Sequence, residues 1–322
     1  MNVLITGAAG YLGRQLVQNL LKTTNHRIVA ADIREDSPFA PHENLCYLKL
    51  DVRSNEAGQL FKDYQIETVV HLASIVTPGK KSNREFEYSV DVIGTKNILQ
   101  ACIFANVKRI IVSSSGAAYG YYPDNAAWLT EADRIRGNEA FAYSYHKRLV
   151  EEMLEDYRIQ YPQLEQTIFR IGTILGDNVR NQITNLFEQK FLIGIAGSDS
   201  PFVFIWDLDV VRCFAKAIDS EQTGIFNVAG DGALTVDQLG ILLNKRVIKI
   251  PATVVSNALF VLKRLNLTQY GEEQVDFLRF RPVISNQKLK GDFGYVPEKT
   301  SLEVFEHYMR SRWKQPELQT NS

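Results

Sequence analysis

The chain is poor in the residues that would announce a disulfide scaffold, a metal centre or a membrane span. It has three cysteines in 322 residues: Cys46, Cys102 and Cys213. They are odd in number, far apart and without metal-ligand spacing, so no metal site is expected. In apolar surroundings they read as core thiols in a reducing compartment, and the cytoplasm is the expected location. Neither sign of charge dominates: 36 Lys and Arg stand against 37 Asp and Glu. The basic residues are spread along the chain, which leaves no electrostatic case for a nucleic-acid or membrane partner. No run of about 18 apolar residues exists, so no transmembrane helix is expected. The nearest stretch, "VVSNALFVLKRLNL" (254–267), is interrupted by Ser256, Asn257, Lys263 and Arg264. It reads as an amphipathic helix at a pocket or interface rather than as a membrane contact. The opening "MNVLITGAAG" has no basic leader and already reads as structure, so no signal peptide is expected. The closing "KQPELQTNS" is polar and is expected to fray.

What is present is alternation. "NVLIT" (2–6), "RIVAAD" (27–32), "CYLKL" (46–50), "TVVHLA" (68–73), "RIIVSSS" (109–115) and "QTIFRI" (166–171) read as strands. Several are near-continuous in Val, Ile and Leu, as parallel strands buried on both faces require. Helical stretches such as "YLGRQLVQNLLK" separate them. The expected fold class is α/β, a doubly wound parallel sheet (Rossmann) with a smaller, mostly helical C-terminal substrate cap. "FVFIW" (202–206) and "GIFNVAG" (224–230) read as strands returning to the first domain. Residues 1–171 and 202–231 would then bind a dinucleotide, and 172–201 and 232–322 would form the cap.

"LITGAAGYLG" puts Gly7, Gly10 and Gly13 after the first strand and at the start of a helix. Glycines there let the backbone turn tightly and approach a pyrophosphate, whose charge meets the helix N-terminus. The expected acid about 20 residues on is Asp32, which closes "RIVAAD". Its carboxylate would accept from the adenosine ribose and repel a 2′-phosphate, which points to NAD over NADP. Arg34 is expected over the adenine or in solvent. Asp51, in "LDVR", is expected either to accept from the adenine amino group or to cap the next helix. "HLAS" ends the fourth strand in small residues against which a cofactor could lie.

The fifth strand ends in "VSSSGAAYG", and one loop later comes "YSYHK" at the head of a helix. Tyr143 and Lys147 are four apart and share a helix face. A lysine within reach of a phenol favours the phenolate, and such a phenol can pass a proton. Hydride transfer to a ketone creates an alkoxide, which needs that proton and a donor to hold its oxygen. Ser114 is a second candidate for the hydroxyl role after Ser115. Ser113 is expected on the other face of the strand. His146 lies about 100° round the helix from its neighbours and is expected to be structural.

Together "TGAAGYLG", Asp32, "HLA", "SSSGAAYG", "YSYHK", "FRIGTILG" and "FNVAGDG" resemble the extended short-chain dehydrogenase/reductase family, also called the NAD-dependent epimerase/dehydratase family. The resemblance implies a catalytic set of Ser115, Tyr143 and Lys147, with Lys147 also on the nicotinamide ribose. It implies NAD held by Gly7, Gly10, Tyr11, Leu12, Gly13, Asp32, Ile33, Asp51, Val52, Leu72, Ala73, Ser74, Ser113, Tyr143, Lys147 and Ile171. It also implies a homodimer through two pairs of helices. Three departures bear on substrate. Asp91 in "VDVIGT" stands where much of the family has asparagine. Gly116-Ala117 replaces the Asp-Glu pair of family dehydratases, and Ser200 stands where nucleotide-sugar epimerases have an arginine. Arg279 and Arg281 remain available for a phosphate. The expected activity is therefore NAD-dependent oxidation or reduction of a small-molecule secondary alcohol or ketone that is neither small nor highly charged. The alternatives are a nucleotide-sugar 4-epimerase with bound NAD, and an inactive NAD-binding regulator.

Overall fold

The computed structural model describes residues 1–76, 83–265, 271 and 273–313. The tail expected to fray and the last residues of the 254–267 stretch lie outside the described residues. The first half of the chain supplies β1 (Asn2–Thr6), β2 (Arg27–Asp32), β3 (Leu45–Lys49), β4 (Thr68–His71), β5 (Arg109–Ser115) and β6 (Glu165–Ile171). Next come β7 (Thr173–Leu175), β8 (Leu192–Ile195), β9 (Phe204–Trp206), β10 (Gly224–Val228) and β11 (Val247–Ile250). Seven of these form one parallel sheet in the order β10-β6-β5-β4-β1-β2-β3. The order reverses between β1 and β4, and a doubly wound sheet opens its ligand crevice at the strand ends there.

Helices α1 (Tyr11–Thr23), α2 (Ala57–Asp63), α3 (Arg84–Tyr88), α4 (Gly94–Phe104) and α5 (Ala142–Gln160) connect the strands. A π-helical turn, Ser89–Ile93, joins α3 to α4 and carries Asp91. After β7 come α6 (Gln182–Glu188), α7 (Asp207–Asp219), α8 (Val236–Leu242), α9 (Ala252–Arg264), α10 (Glu273–Arg279), α11 (Gln287–Gly291) and α12 (Ser301–Arg312). One face of the sheet buries Leu16, Val17 and Leu20 of α1 with Val210, Val211 and Phe214 of α7. The other buries Phe61, Leu99, Val150 and Leu154, from α2, α4 and α5. Cover on both faces is why the strands are rich in Val and Ile. A separate cluster of Phe187, Phe202, Phe204, Phe305 and Tyr308 ties α6 and β9 to α12.

Two strands end earlier or begin later than their composition predicts. β4 stops at His71: the Leu72 N–H still reaches the Thr6 carbonyl at 3.3 Å as well as its hydroxyl at 3.2 Å, but the Ala73 N–H donates only to that hydroxyl, at 3.3 Å. β9 begins at Phe204 because Phe202 exchanges both backbone hydrogen bonds with Leu234. β9 pairs with β7 in a two-stranded sheet of its own, whereas β10 joins the main sheet beside β6.

Candidate active site

Gly7 has φ +66°, and a Cβ there would stand 2.8 Å from the Ala73 nitrogen. Only glycine meets both conditions, so the loop lies tight against the end of β4. Asp32 closes β2 beside it. One carboxylate oxygen accepts from the Ala9 N–H at 2.9 Å and the other from the Arg34 N–H at 3.1 Å. Arg34 is exposed, as expected, and its Nη1 donates to the Ala9 carbonyl at 3.3 Å, while Arg14 Nε donates to the same oxygen at 2.8 Å. Two guanidinium groups thus converge beside Asp32. Of the other predicted cofactor residues, Leu72 and Ala73 lie against Gly7 at the end of β4. Tyr11 donates to Asp207 at 2.5 Å, and burial with that carboxylate pushes its phenol up. Ile33 is exposed, and Val52 is buried. Asp51 is held by Arg53, whose side-chain and backbone hydrogen bonds keep the carboxyl below its usual range, so it caps no helix. Ser74 is half-buried at the end of β4.

Tyr143 is the second residue of α5, and Lys147 lies one turn further on. Lys147 is buried, and its Nζ donates to the Ser113 carbonyl at 2.9 Å. The same Nζ lies 5.6 Å from the centroid of the Tyr143 ring. Ser115 caps a 3-10 turn, Gly116–Tyr119, its Oγ accepting from the Ala117 N–H at 3.1 Å. Ser115 and Tyr143 open onto one cavity, with Leu12, Ser113 and Ile171 on the same wall.

The serine string corrects two expectations. Side chains alternate along a strand, so Ser113 shares the face of Ser115 and Ser114 takes the other. Ser114 is buried with its hydroxyl 2.5 Å from Glu151 Oε1, which removes it as the alternative to Ser115. Glu151 in turn pairs with Arg170 at 2.7 Å. Arg170 Nη1 donates to the Tyr119 hydroxyl at 2.9 Å, and that hydroxyl donates to Asn227 at 2.8 Å. The network pins α5 to β5, β6 and β10. The sequence reading missed it, although an arginine inside "QTIFRI" needs a buried partner and so signals one.

Behind Lys147 lies a second polar group. Asp91 accepts from the Ile75 N–H at 2.9 Å and sits 3.3 Å from His146 Nδ1. Burial alone would raise its carboxyl, but His146, Lys147 and the Ile75 N–H outweigh burial and hold it below the usual carboxylate range. His146 is buried, and its Nε2 has no hydrogen-bond partner among the described residues. This is the structural role its place on the helix predicts.

The wall facing Tyr143 is aromatic. Tyr121, Phe141, Phe202 and Phe277 line it. Phe277 packs 5.2 Å from Tyr121 and 5.7 Å from Phe141. Arg281 enters this wall with its guanidinium 3.8 Å above the Phe202 ring. It donates to the carbonyl of Ser200 at 3.0 Å, and no described acidic side chain pairs with it. Its Nε is buried without a partner, and burial pulls the guanidinium down from its usual range. Tyr121 and Phe141 were not found from sequence, because nothing in their neighbourhood marks them before the loop folds.

The family model of the NAD dependent epimerase/dehydratase family matches residues 3–229. The chain belongs to that family. An uncharacterised protein of Mycobacterium tuberculosis H37Rv is 24% identical over 327 residues, covering 98% of this chain and 85% of its own. UDP-glucose 4-epimerase of Mycolicibacterium smegmatis is 30% identical over 239 residues, covering 67% of this chain and 73% of its own. Among solved structures, UDP-glucose 4-epimerase of Thermus thermophilus in complex with NAD superposes with a TM-score of 0.74 at 20% identity, covering 98% of this chain and all of the other. That likeness shows the fold. The family is one of NAD-dependent enzymes, and the tight loop at Gly7 with the carboxylate of Asp32 fits the pyrophosphate and ribose of that cofactor.

Proposed function

We propose that this family member is an NAD-dependent oxidoreductase interconverting a secondary alcohol and its ketone, with Ser115, Tyr143 and Lys147 as its working residues. The observation that carries the reading is the single cavity shared by Ser115 and Tyr143 and faced by Tyr121, Phe141, Phe202 and Phe277. Bound NAD supplies the hydride acceptor or donor. In the oxidative direction Tyr143 takes the hydroxyl proton as the carbon gives up its hydride, and in the reductive direction it returns that proton to the alkoxide. Ser115 holds the substrate oxygen. Lys147, fixed on the Ser113 carbonyl, keeps its positive charge beside the Tyr143 ring.

The cavity suits a largely apolar substrate with one anionic group. Arg281 is the cation, and a buried charge without a counter-ion is costly until a ligand provides one. The family's nucleotide-sugar epimerases place a further arginine where Ser200 stands, and Ser200 here serves as acceptor for Arg281. A nucleotide-sugar 4-epimerase is the second reading, favoured by the UDP-glucose 4-epimerases among the relatives. Cofactor retention separates the two, since an epimerase regenerates its NAD each turnover and a dehydrogenase must exchange it. Mass spectrometry of the purified native protein is expected to find little retained NAD. Stoichiometric retention, with turnover of UDP-glucose in a substrate panel, would reject the oxidoreductase reading.

A further inference from the structure

Tyr121 is 7% exposed, and its ring packs on Phe141 and Phe277 with centroids 5.6 and 5.2 Å away. Only its backbone makes hydrogen bonds among the described residues. The N–H donates to Asn138 Oδ1 at 2.7 Å, and the carbonyl accepts from Asn138 Nδ2 at 3.4 Å. A buried phenol ordinarily finds a partner for its hydroxyl. Tyr119, two residues earlier, does so with Arg170 and Asn227. The Tyr308 hydroxyl is also unpaired, but that residue is sealed inside the aromatic cluster around α12. Tyr121 differs in lining the substrate cavity, so a ligand there can supply what the fold does not.

The place of Tyr121 is fixed relative to Tyr143. Gly120 has φ +84°, and a Cβ there would stand 2.5 Å from the Tyr122 ring, so the turn before Tyr121 requires glycine. Asn138, which clasps the Tyr121 backbone, donates its own N–H to the Ser144 hydroxyl at 3.0 Å. That hydroxyl donates to the Ala117 carbonyl at 2.7 Å. Ser144 follows Tyr143 in α5, so one clamp holds both phenols. Phe141 packs on both, its centroid 6.5 Å from that of Tyr143. Phe277 links Tyr121 to the other end of the cavity, with the Arg281 guanidinium 5.5 Å from its centroid. Burial pushes the Tyr121 phenol up, Tyr143 adds to the rise, and Arg281 works against it. Tyr121 therefore keeps its proton at neutral pH and serves as a hydrogen-bond donor rather than a proton carrier.

The geometry points to Tyr121 as a specificity-determining residue whose hydroxyl donates to a second oxygen of the substrate, distinct from the reacting oxygen at Ser115 and Tyr143. This deepens the oxidoreductase reading and rests on it for the place of the reacting oxygen. The substrate class is thereby narrowed to alcohols and ketones on an apolar framework that carry a further hydroxyl or carbonyl. A plain hydrocarbon alcohol would leave the Tyr121 hydroxyl unpaired in an apolar wall, and a site built to hydrogen-bond a ligand rejects the analogue that lacks the group.

Equilibrium dialysis of the full chain saturated with NAD, with which a ketone cannot react, tests the assignment. The probes are acetophenone and its ortho, meta and para hydroxy derivatives. At least one derivative should bind about tenfold more tightly than acetophenone, the effect of one added hydrogen bond. Tyr121→Phe should abolish that gain. Its thermal midpoint should stay level or rise, because the hydroxyl it removes supports no contact within the fold. Three results overturn the assignment: no derivative binds more tightly than acetophenone, whether or not acetophenone binds; the gain survives in Tyr121→Phe; or the thermal midpoint of that variant falls by several degrees, which would reveal a structural partner for the hydroxyl. The oxidoreductase reading fails separately. Binding with the expected pattern, but no reduction of any of these ketones by NADH, would keep Tyr121 as a ligand-binding residue and count against the reaction alone.

Discussion

His71 Nδ1 lies 2.8 Å from the Thr6 hydroxyl, at the sheet end beneath the glycine loop. Its Nε2 lies 3.0 Å from the Thr95 hydroxyl, so the ring is held between two neutral partners. Burial, reinforced by the charge of Lys147, pushes the imidazole down to about 3. The folded chain therefore keeps His71 neutral at a pH where an unfolded histidine, with its usual value near 6.5, takes a proton.

Stability should accordingly fall as the pH drops below about 6.5, with a slope of up to about 1.4 kcal/mol per pH unit from this group. The unfolded state binds the extra proton in that window, which fixes the sign. Asp91 acts lower: its depressed carboxyl supports the fold above the ordinary carboxylate range and loses that effect only as the pH falls through its folded value. Urea midpoints at pH 7.5 and 5 check this. His71→Asn should be less stable at pH 7.5 but should lose less on acidification. An equal loss in both proteins would remove His71 as the cause.

Tyr143→Phe keeps the ring and its packing but has no proton to pass. It should cut the chemical step by about 10²–10⁴-fold with NAD affinity nearly unchanged. Lys147→Ala should lose turnover and NAD affinity together, and Lys147→Arg should rescue only part, since its fork does not match a single carbonyl acceptor. Tyr143→Phe retaining most of the wild-type kcat would take Tyr143 out of the mechanism.

Asp32→Ala should move cofactor preference toward NADP(H). The variant removes a carboxylate that would repel a 2′-phosphate and leaves Arg14 and Arg34 together on the Ala9 carbonyl, ready to pair with one. Titrating NADH and NADPH fluorescence against both proteins reads the change. Tighter NADPH binding by the unmodified chain would contradict the NAD preference.

Glu151→Ala should destabilise the fold by about 3–5 kcal/mol, because it leaves the Arg170 guanidinium buried and unpaired. Glu151→Ala with Arg170→Met should recover part of that loss. Chemical denaturation of the two variants and the parent measures it, and a double variant no better than the single one would show that the pair is not what the core requires.

We propose a homodimer through α4, α5 and the π-helical turn before α4. Ile93 of the π-helical turn, Phe104 of α4 and Ile159 of α5 are exposed at 38%, 53% and 75%. Light scattering at micromolar concentration should give twice the chain mass, and Ile93→Asp should halve it. A single-chain mass for the parent would exclude the dimer.

Much of the fold is legible because its signals are local. β1, β2 and β5 begin and end where their apolar runs do, and the glycine loop and Asp32 are tied by chain geometry. The sequence also brings Ser115, Tyr143 and Lys147 to notice through short spacings; Ser115 and Tyr143 open onto one cavity, and the Lys147 Nζ lies 5.6 Å from the Tyr143 ring. The aromatic wall carries no such signal. Tyr121, Phe141, Phe202 and Phe277 come from separate segments, and an aromatic residue in a loop looks the same whether it faces solvent, core or ligand. The misreading of Ser113 and Ser114 had a different origin, since strand alternation alone separates them and was not followed through the string.

The cavity is assembled from two sources with little in common. Ser115 and Tyr143 stand on β5 and α5, clamped by the Glu151–Arg170 pair, whereas Phe202, Phe277 and Arg281 come from later segments outside the central sheet. Changes in the second group leave the clamp untouched. A lineage can therefore acquire new substrates by drift in a handful of late-chain codons, and related proteins that differ at positions 202, 277 and 281 should differ in what they accept long before they differ in what they do to it.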